Sequence, residues 1–521
     1  MSSGSAAGER EPIAVPQVLD ARLVPSAVMC WGTTMVAVGV GWRAGMALVA
    51  VLCTASIMVG VLTIRSPARR IPAAVALAAL LAGAGFGASG AWREYRAATH
   101  PLRTAAVGTY LTAIVVPVDD PKMLPAKAFG ARQWMVKANL RQYRHGPVPV
   151  HAGGAVIVLA AQGGWPGLLP GQPVEFRARL DRPWRRDLTV AVLHAQGPPR
   201  VVGAMPWWQR AAGAVRAHFA DAAAGALSPD AAGLLPGLVD GDVSRLPDRV
   251  REDFRQTDLT HLVAVSGTNV SIILIFVLGS MRRLTVDPRL GAVLGAVALA
   301  AFVILARPSP TVLRAAVMGA IALLAVLIGR RKQALPALCA AVIGLLGYSP
   351  ALALDIGFAL SVLATAALIV LSPRWSHWLE QHGWRRRPAE AFAVATAAFL
   401  LTAPLIVALT GHVGMLAIVA NVLVEPAIFP ITVVGTAAAI GSCVWMPLGV
   451  GLLYLTRPLL WWLLFVSEHG ASLGISVSMP DGARGGFATA VVVAGVLVLL
   501  HRVTRPPDPP AEQTGHAGPA P

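Results

Sequence analysis

Long uncharged runs separated by short polar ones fill most of this chain, and the segment 93–205 breaks that rhythm. Ile71 to Trp92 holds no charge and matches the roughly 20 residues an α-helix needs to cross a bilayer. Runs of similar character follow Asp287, Pro310 and Gly485, and two more lie near 26–42 and 44–64. Counting every such run predicts about 12 membrane-spanning helices. Between 93 and 205 the pattern changes to short segments with strand character: 104–116, 132–143, 154–160, 173–180 and 188–195. Turn signals at Asp119-Asp120-Pro121, Gly163-Gly164 and Pro170-Gly171-Gln172-Pro173 separate them.

Five short strands in about 100 residues predict a small inserted β-barrel, with the five-stranded oligonucleotide-binding (OB) type as the natural candidate. The fold class expected is therefore a polytopic α-helical membrane protein with an extracytoplasmic OB-like domain. Composition agrees: 55% of residues are hydrophobic, 13% are charged, and the mean hydropathy is +0.64. That is more apolar residue than soluble cores require. Met1 to Asp20 is polar and the run from Pro25 leads into a second span, which argues against a cleaved signal peptide. Cys30, Cys53, Cys339 and Cys443 show no paired spacing, so neither a zinc site nor a disulfide framework is indicated.

The net charge of +17 is read first through topology. With a cytoplasmic N-terminus, the clusters Arg65/Arg69/Arg70, Arg282/Arg283/Arg289, Arg330/Arg331/Lys332 and Arg374/Arg385–Arg387 all fall on the cytoplasmic side. This predicts a multi-pass protein of the cytoplasmic membrane with its β domain on the outer face. The expected organisation is a cytoplasmic tail (1–25), three transmembrane helices (26–92), the OB-like domain (93–205), interfacial amphipathic helices (206–258), a transmembrane channel domain (259–503) and a disordered cytoplasmic tail (504–521).

The β segment keeps an excess of positive charge that topology does not require, with 13 basic residues against five acidic ones between His100 and Met205. Interleaved with Tyr110, Trp134, Tyr143, Trp165, Phe176 and Trp184, they suit single-stranded nucleic acid, whose phosphates take cations and whose bases stack on flat partners. Arg132, Trp134, Lys137, Arg141, Arg177 and Arg179 are the binding candidates. A barrel facing anionic lipid headgroups, with its aromatics in its own core, accounts for the same composition.

Residues 258–274, DLTHLVAVSGTNVSIIL, pose a different problem, because an apolar run here carries polar side chains. On one ideal helix Asp258, His261, Ser266, Thr268 and Asn269 share an arc of about 160°. Polar groups at membrane depth are costly unless paired or lining a wet pathway, and Gly267 is expected to interrupt the helix. Arg314 and Asp355, also in apolar surroundings, join the pathway candidates. Glu425, beside Pro426 and near Pro430, predicts a broken helix. Two other readings fit some of these residues: a transporter of a small anionic solute, and an intramembrane hydrolase with Ser266 as nucleophile and His261 as base. The latter requires the helix to break, since five residues set those side chains about 140° apart.

The stretch GDVSRLPDRVREDFRQTDLTHLVAVSGTNVSIIL (241–274) resembles the signature of the ComEC-type competence membrane channels. Matching stretches follow in order at 306–331, 349–368 and 402–426. The resemblance implies a channel carrying single-stranded DNA across the cytoplasmic membrane during natural transformation. It implies roles for Gly241, Asp242, His261, Ser266, Gly267, Arg314, Ala315, Asp355, Gly357, Phe358, Ala420 and Asn421, while Thr268-Asn269 and Ala359 depart from the common pattern. Many relatives add a metallo-β-lactamase-like domain, yet no His-x-His-x-Asp-His occurs here, so no catalytic metal or cofactor is expected. No Gly-x-x-x-x-Gly-Lys phosphate loop occurs either. A separate cytoplasmic ATPase or helicase, a DNA receptor and a nuclease are the partners this implies, beside DNA and membrane lipid.

Overall fold

The computed structural model describes residues 20–65, 70–124, 133–161, 163–263, 267–285, 287–307, 309–327, 333–414, 416–474, 476–480 and 482–504. Three helices come first: α1 (Val24–Gly39), α2 (Trp42–Arg65) and α3 (Arg70–Ala98). The reversal between α1 and α2 is made at Gly41, whose φ of +131° suits only a residue without Cβ. Small residues bring α3 against its neighbours. A methyl group at Gly90 would lie 3.2 Å from Ala37 Cβ, and one at Gly87 would lie 3.0 Å from Val49. The glycine stripe of α3 is thus used inside the chain.

A short helix, α4 (Pro101–Thr104), leads into the β domain, with the His100 ring accepting the Leu102 amide at its start. The strands are β1 (Tyr110–Pro117), β2 (Lys122–Met123), β3 (Trp134–Arg144), β4 (Pro149–Val150), β5 (Gly154–Ala160), β6 (Val174–Asp181) and β7 (Thr189–Val201). The five long ones close into a ring: β1 pairs with β3 and β6, β3 with β5, β6 with β7, and β5 runs parallel to β7. Counted among themselves, their cyclic order is first, second, third, fifth, fourth, the connectivity of an OB-like barrel. Period-two alternation builds it. Leu111, Ala113 and Val115 of β1 face inward with Val136, Ala138 and Leu140 of β3 and Phe176, Ala178 and Leu180 of β6. Each large side chain so buried contributes about 1.5–3 kcal/mol.

The helical part follows as α5 (Trp207–Ala226), α6 (Pro229–Val239), α7 (Asp248–Gln256), α8 (Thr260–Val263), α9 (Gly267–Arg283), α10 (Pro288–Ala306) and α11 (Pro310–Leu327). Next come α12 (Ala334–Tyr348), α13 (Ile356–Val370), α14 (Ser372–Gln381), α15 (Arg386–Thr410) and α16 (Ala417–Val444). The chain then continues through α17 (Met446–Tyr454), α18 (Arg457–Ser472) and α19 (Gly482–Val503). Two three-residue strands, β8 (His412–Gly414) and β9 (Ser476–Ser478), pair across the ends of α15 and α19.

The expected span count is corrected here. Among the described residues six helices are long and apolar enough to cross a membrane, or eight if each of two bent pairs is one span. The pairs α13/α14 and α17/α18 bend by 40° and 54°. Apolar composition overcounts because a run can be apolar yet short. The 15 residues of α12 span about 22 Å, less than the roughly 30 Å hydrocarbon layer. Two further differences concern single helices. The expected span from Leu259 divides into α8 and α9, so the single-helix arc does not apply, and α9 starts at Gly267. Conversely, α16 runs unbroken through Pro426 and Pro430. Trp462 Nε1 donates to the Leu423 carbonyl at 2.9 Å, so a neighbouring helix supports the backbone in the turn before Pro426.

Candidate functional site

Ala97 of α3 and Leu102 of α4 join the barrel core, and three of the barrel's loops touch the helices as well. Its loop between β1 and β2 carries Asp120 onto α5 and the end of α10. Its loop between β5 and β6 lays Leu169 and Gly171 along the start of α5, near Gly213, Pro206 and Gln209. The third contact is Arg186, in the loop between β6 and β7, which donates to the Val40 carbonyl at 2.7 Å in the α1–α2 turn.

The first contact is an ion cluster. Asp120 Oδ1 lies 2.9 Å from Arg307 Nη2 and its Oδ2 lies 3.3 Å from Arg216 Nη1. Arg216 Nη2 also lies 3.9 Å from Asp242 Oδ1. Arg307 follows the end of α10 at φ +66° and ψ +146°, and its side chain meets the barrel loop. Both guanidiniums are buried, at 7% and 6% exposure. Asp240 closes the cluster at the end of α6, where its Oδ1 accepts the Asp242 amide at 3.0 Å. Gly241 between them has φ +79°, which explains why a glycine precedes the acid in the Gly-Asp pair. Burial raises the Asp120 carboxyl, opposed by Arg216 and Arg307. At Asp242 burial acts upward too, but the Ser244 hydrogen bonds and Arg216 outweigh it and hold the carboxyl low.

From the cluster a series of polar contacts enters the helical part. Asn269, 4% exposed, donates from Nδ2 to the Leu238 carbonyl at 2.8 Å, two residues before Asp240. Gly267 starts the same helix under Arg314, and a methyl group there would be 3.0 Å from Arg314 Nη2. Arg314 is itself 6% exposed. Its Nε donates to Ser361 Oγ at 2.8 Å and its Nη1 approaches Met318 Sδ at 3.5 Å, and no carboxylate pairs with it among the described residues.

The other pathway candidates are dispersed. Asp355 caps α13, accepting the Phe358 amide at 2.8 Å, and does not meet Arg314. Asp258, at φ +55°, holds its carboxylate against the Gly414 amide of β8; burial raises that carboxyl and the amide lowers it. His261 is exposed, with Nδ1 2.9 Å from the Asp258 carbonyl. Asn421 bonds the Ala417 carbonyl of its own helix, and Glu425 is exposed on α16. Ser266 lies outside the described residues, as does Arg132.

On the barrel, Lys137, Arg141, Arg177 and Arg179 all point outward and Trp134 is half-buried. Thr112 stands between Arg144 and Arg177, and Tyr110 lies opposite Arg179, so these residues form one exposed basic patch with an aromatic. Lys137 sits toward the other end of β3, opposite Ile157 of β5. Three aromatics considered for base stacking are corrected. Tyr143, Trp165 and Phe176 belong to the barrel core, where the Trp165 and Phe176 rings meet edge-on at 4.9 Å. A feature not anticipated is a cavity of about 360 Å³ around the β6–β7 loop, lined by Arg103, Arg182, Trp184, Arg185 and Arg186 among others. Among the described residues no group of three or more His, Cys, Asp or Glu is placed to hold a metal ion.

These features define a polytopic membrane protein whose OB-like barrel is fastened by buried charges to the head of its helical part. The chain matches the family model described as Competence protein over residues 238–504, just over half its length, and it belongs to that family. It is 30% identical over 158 residues to ComE operon protein 3 of Bacillus subtilis (strain 168), an alignment covering 30% of this chain. The match spans 20% of the length of that curated relative. No solved structure matches.

Proposed function

We propose that this protein conducts single-stranded DNA across the cytoplasmic membrane, taking the strand on the outward basic face of its barrel and passing it along the Asn269–Gly267–Arg314 region. The observation that carries this reading is Arg314, a buried guanidinium without an acid partner among the described residues. Such a group is costly in an apolar bundle and gains its counter-charge when a phosphate arrives. Family membership and the OB-like barrel support the same reading. Asn269 and Arg314 are both buried, so passage requires α9 and α11 to part. On this reading His261, Asp258, Asp355, Asn421 and Glu425 border the route, and Ser266 is assigned to it by its place in the sequence beside Gly267. Energy, capture of duplex DNA and strand degradation are assigned to separate partners.

The test uses the full chain in liposomes with fluorescent oligonucleotides of increasing length. Affinity should rise with length and fall steeply between low and moderate salt. Arg314→Ala should abolish transfer to the lumen while leaving binding to the barrel intact. Transport of a small anion with no length-dependent oligonucleotide binding would replace the DNA reading with the solute one.

A further inference from the structure

The ion cluster at the foot of the barrel has more negative charge than positive. Three carboxylates, Asp120, Asp240 and Asp242, face two guanidiniums, Arg216 and Arg307. The neighbouring Asp119 is matched by Lys122 at 3.0 Å and leaves the balance unchanged. Asp240 is the most enclosed member, at 1% exposure, and its Oδ2 has no hydrogen-bond partner. On the other side, Arg307 Nε and Nη1 are buried and also without acceptors. An ionised Asp240 would have every reason to take one of those donors, because a buried, unpartnered carboxylate is strongly disfavoured. Instead Arg307 is turned to Asp120 and Arg216 is shared between Asp120 and Asp242, so neither is paired with Asp240.

We propose that the junction is a proton-binding site: one proton held on Asp240 neutralises the cluster and leaves Arg216 and Arg307 free to hold Asp120, seating the barrel on the helices. When the proton leaves to solvent, the Asp240 carboxylate competes with Asp120 for the guanidiniums and the barrel loop is released. The inference does not rest on the DNA reading and stands if that reading fails.

The electrostatics agree in sign. Burial pushes the Asp240 carboxyl up to about 7 from an ordinary value of 3.8, against the lowering influence of Arg216 and the Asp242 amide. A carboxyl raised in the seated state binds its proton more tightly there. Seating is therefore complete below the ordinary value, weakens as pH rises toward about 7, and levels off above it, by about tenfold per pH unit within that window. The raised carboxyl of Asp120 acts in the same direction and the lowered one of Asp242 in the opposite one, so the variant comparison isolates Asp240.

The experiment is hydrogen–deuterium exchange of the 110–124 segment, corrected for intrinsic rates, on the full chain in neutral-lipid nanodiscs from pH 5 to 8. Wild-type protection should fall with rising pH and flatten above about 7, while Asp240→Asn should stay protected throughout. A wild-type profile that is flat, or one shared by the variant, overturns the proposal. Should Asp240→Asn fail to fold, infrared spectroscopy of the wild type decides: a protonated-carboxyl band titrating near 7 is required, and its absence refutes the site. Protection restored at pH 8 by sodium or magnesium in place of protons also overturns it.

Discussion

Asp120 is one side chain holding two buried arginines, and its removal should show how much the barrel's attachment depends on charge. Asp120→Ala leaves Arg216 and Arg307 without their shared acceptor, a change expected to destabilise the junction by about 3 kcal/mol or more. Limited proteolysis of the loop between β1 and β2, compared with wild type, measures it. Gly267→Val is expected to act differently. Its new methyl groups press on Arg314 Nη2, so the guanidinium must turn while the helix persists. DNA uptake should fall about tenfold or more with little change in thermal stability, and Arg314→Lys should reproduce the loss because an ammonium cannot copy the planar fork. Little of this was legible in the sequence. Asp120, Arg216, Asp240, Asp242 and Arg307 come from four separate parts of the chain, and of these only Asp242, in the Gly-Asp pair, and Arg307, in the matching stretch 306–331, fell within recognisable segments. Nothing local signals that Arg307 takes a positive φ and meets the barrel.

At the level of elements, the strands were the most readable part, because alternation is a short-range pattern that holds through β1 and β6 and through β3 as far as the bulge after Leu140. Alternation by itself places Phe176 inward, between Glu175 and Arg177, whereas Trp165 lies outside any strand and no alternation speaks for it. A paired experiment separates core from surface. Phe176→Ala should cost the barrel about 3–5 kcal/mol and expose it to protease. Arg177→Ala with Arg179→Ala should leave stability unchanged but weaken oligonucleotide binding and flatten its salt dependence by about two contacts. Helices were harder to read. Apolar runs announce a membrane segment without saying whether it spans, bends or stops short, so short apolar helices such as α12 inflate the count. Pro426 looked like a breaker, yet α16 continues through it.

For the whole molecule, the arginine clusters at the ends of α9, α11 and α14 argue for one orientation. Protease added to the outside of intact cells should therefore cut the 182–188 loop and spare 374–387. The reverse pattern would place the barrel in the cytoplasm and remove its role in receiving DNA.

The barrel's loop contacts have a mechanical corollary. The barrel is also anchored where Ala97 and Leu102 enter its core, so releasing the Asp120 loop lets it tilt about that anchor. The Asp120 loop is held by charge, whereas the loop along α5 rests on close packing and Arg186 on a backbone hydrogen bond at Val40 beside the buried Glu94. Any loss of charge balance would raise the barrel along the Asp120 edge, opening a wedge above the turn between α10 and α11, a few residues from Arg314.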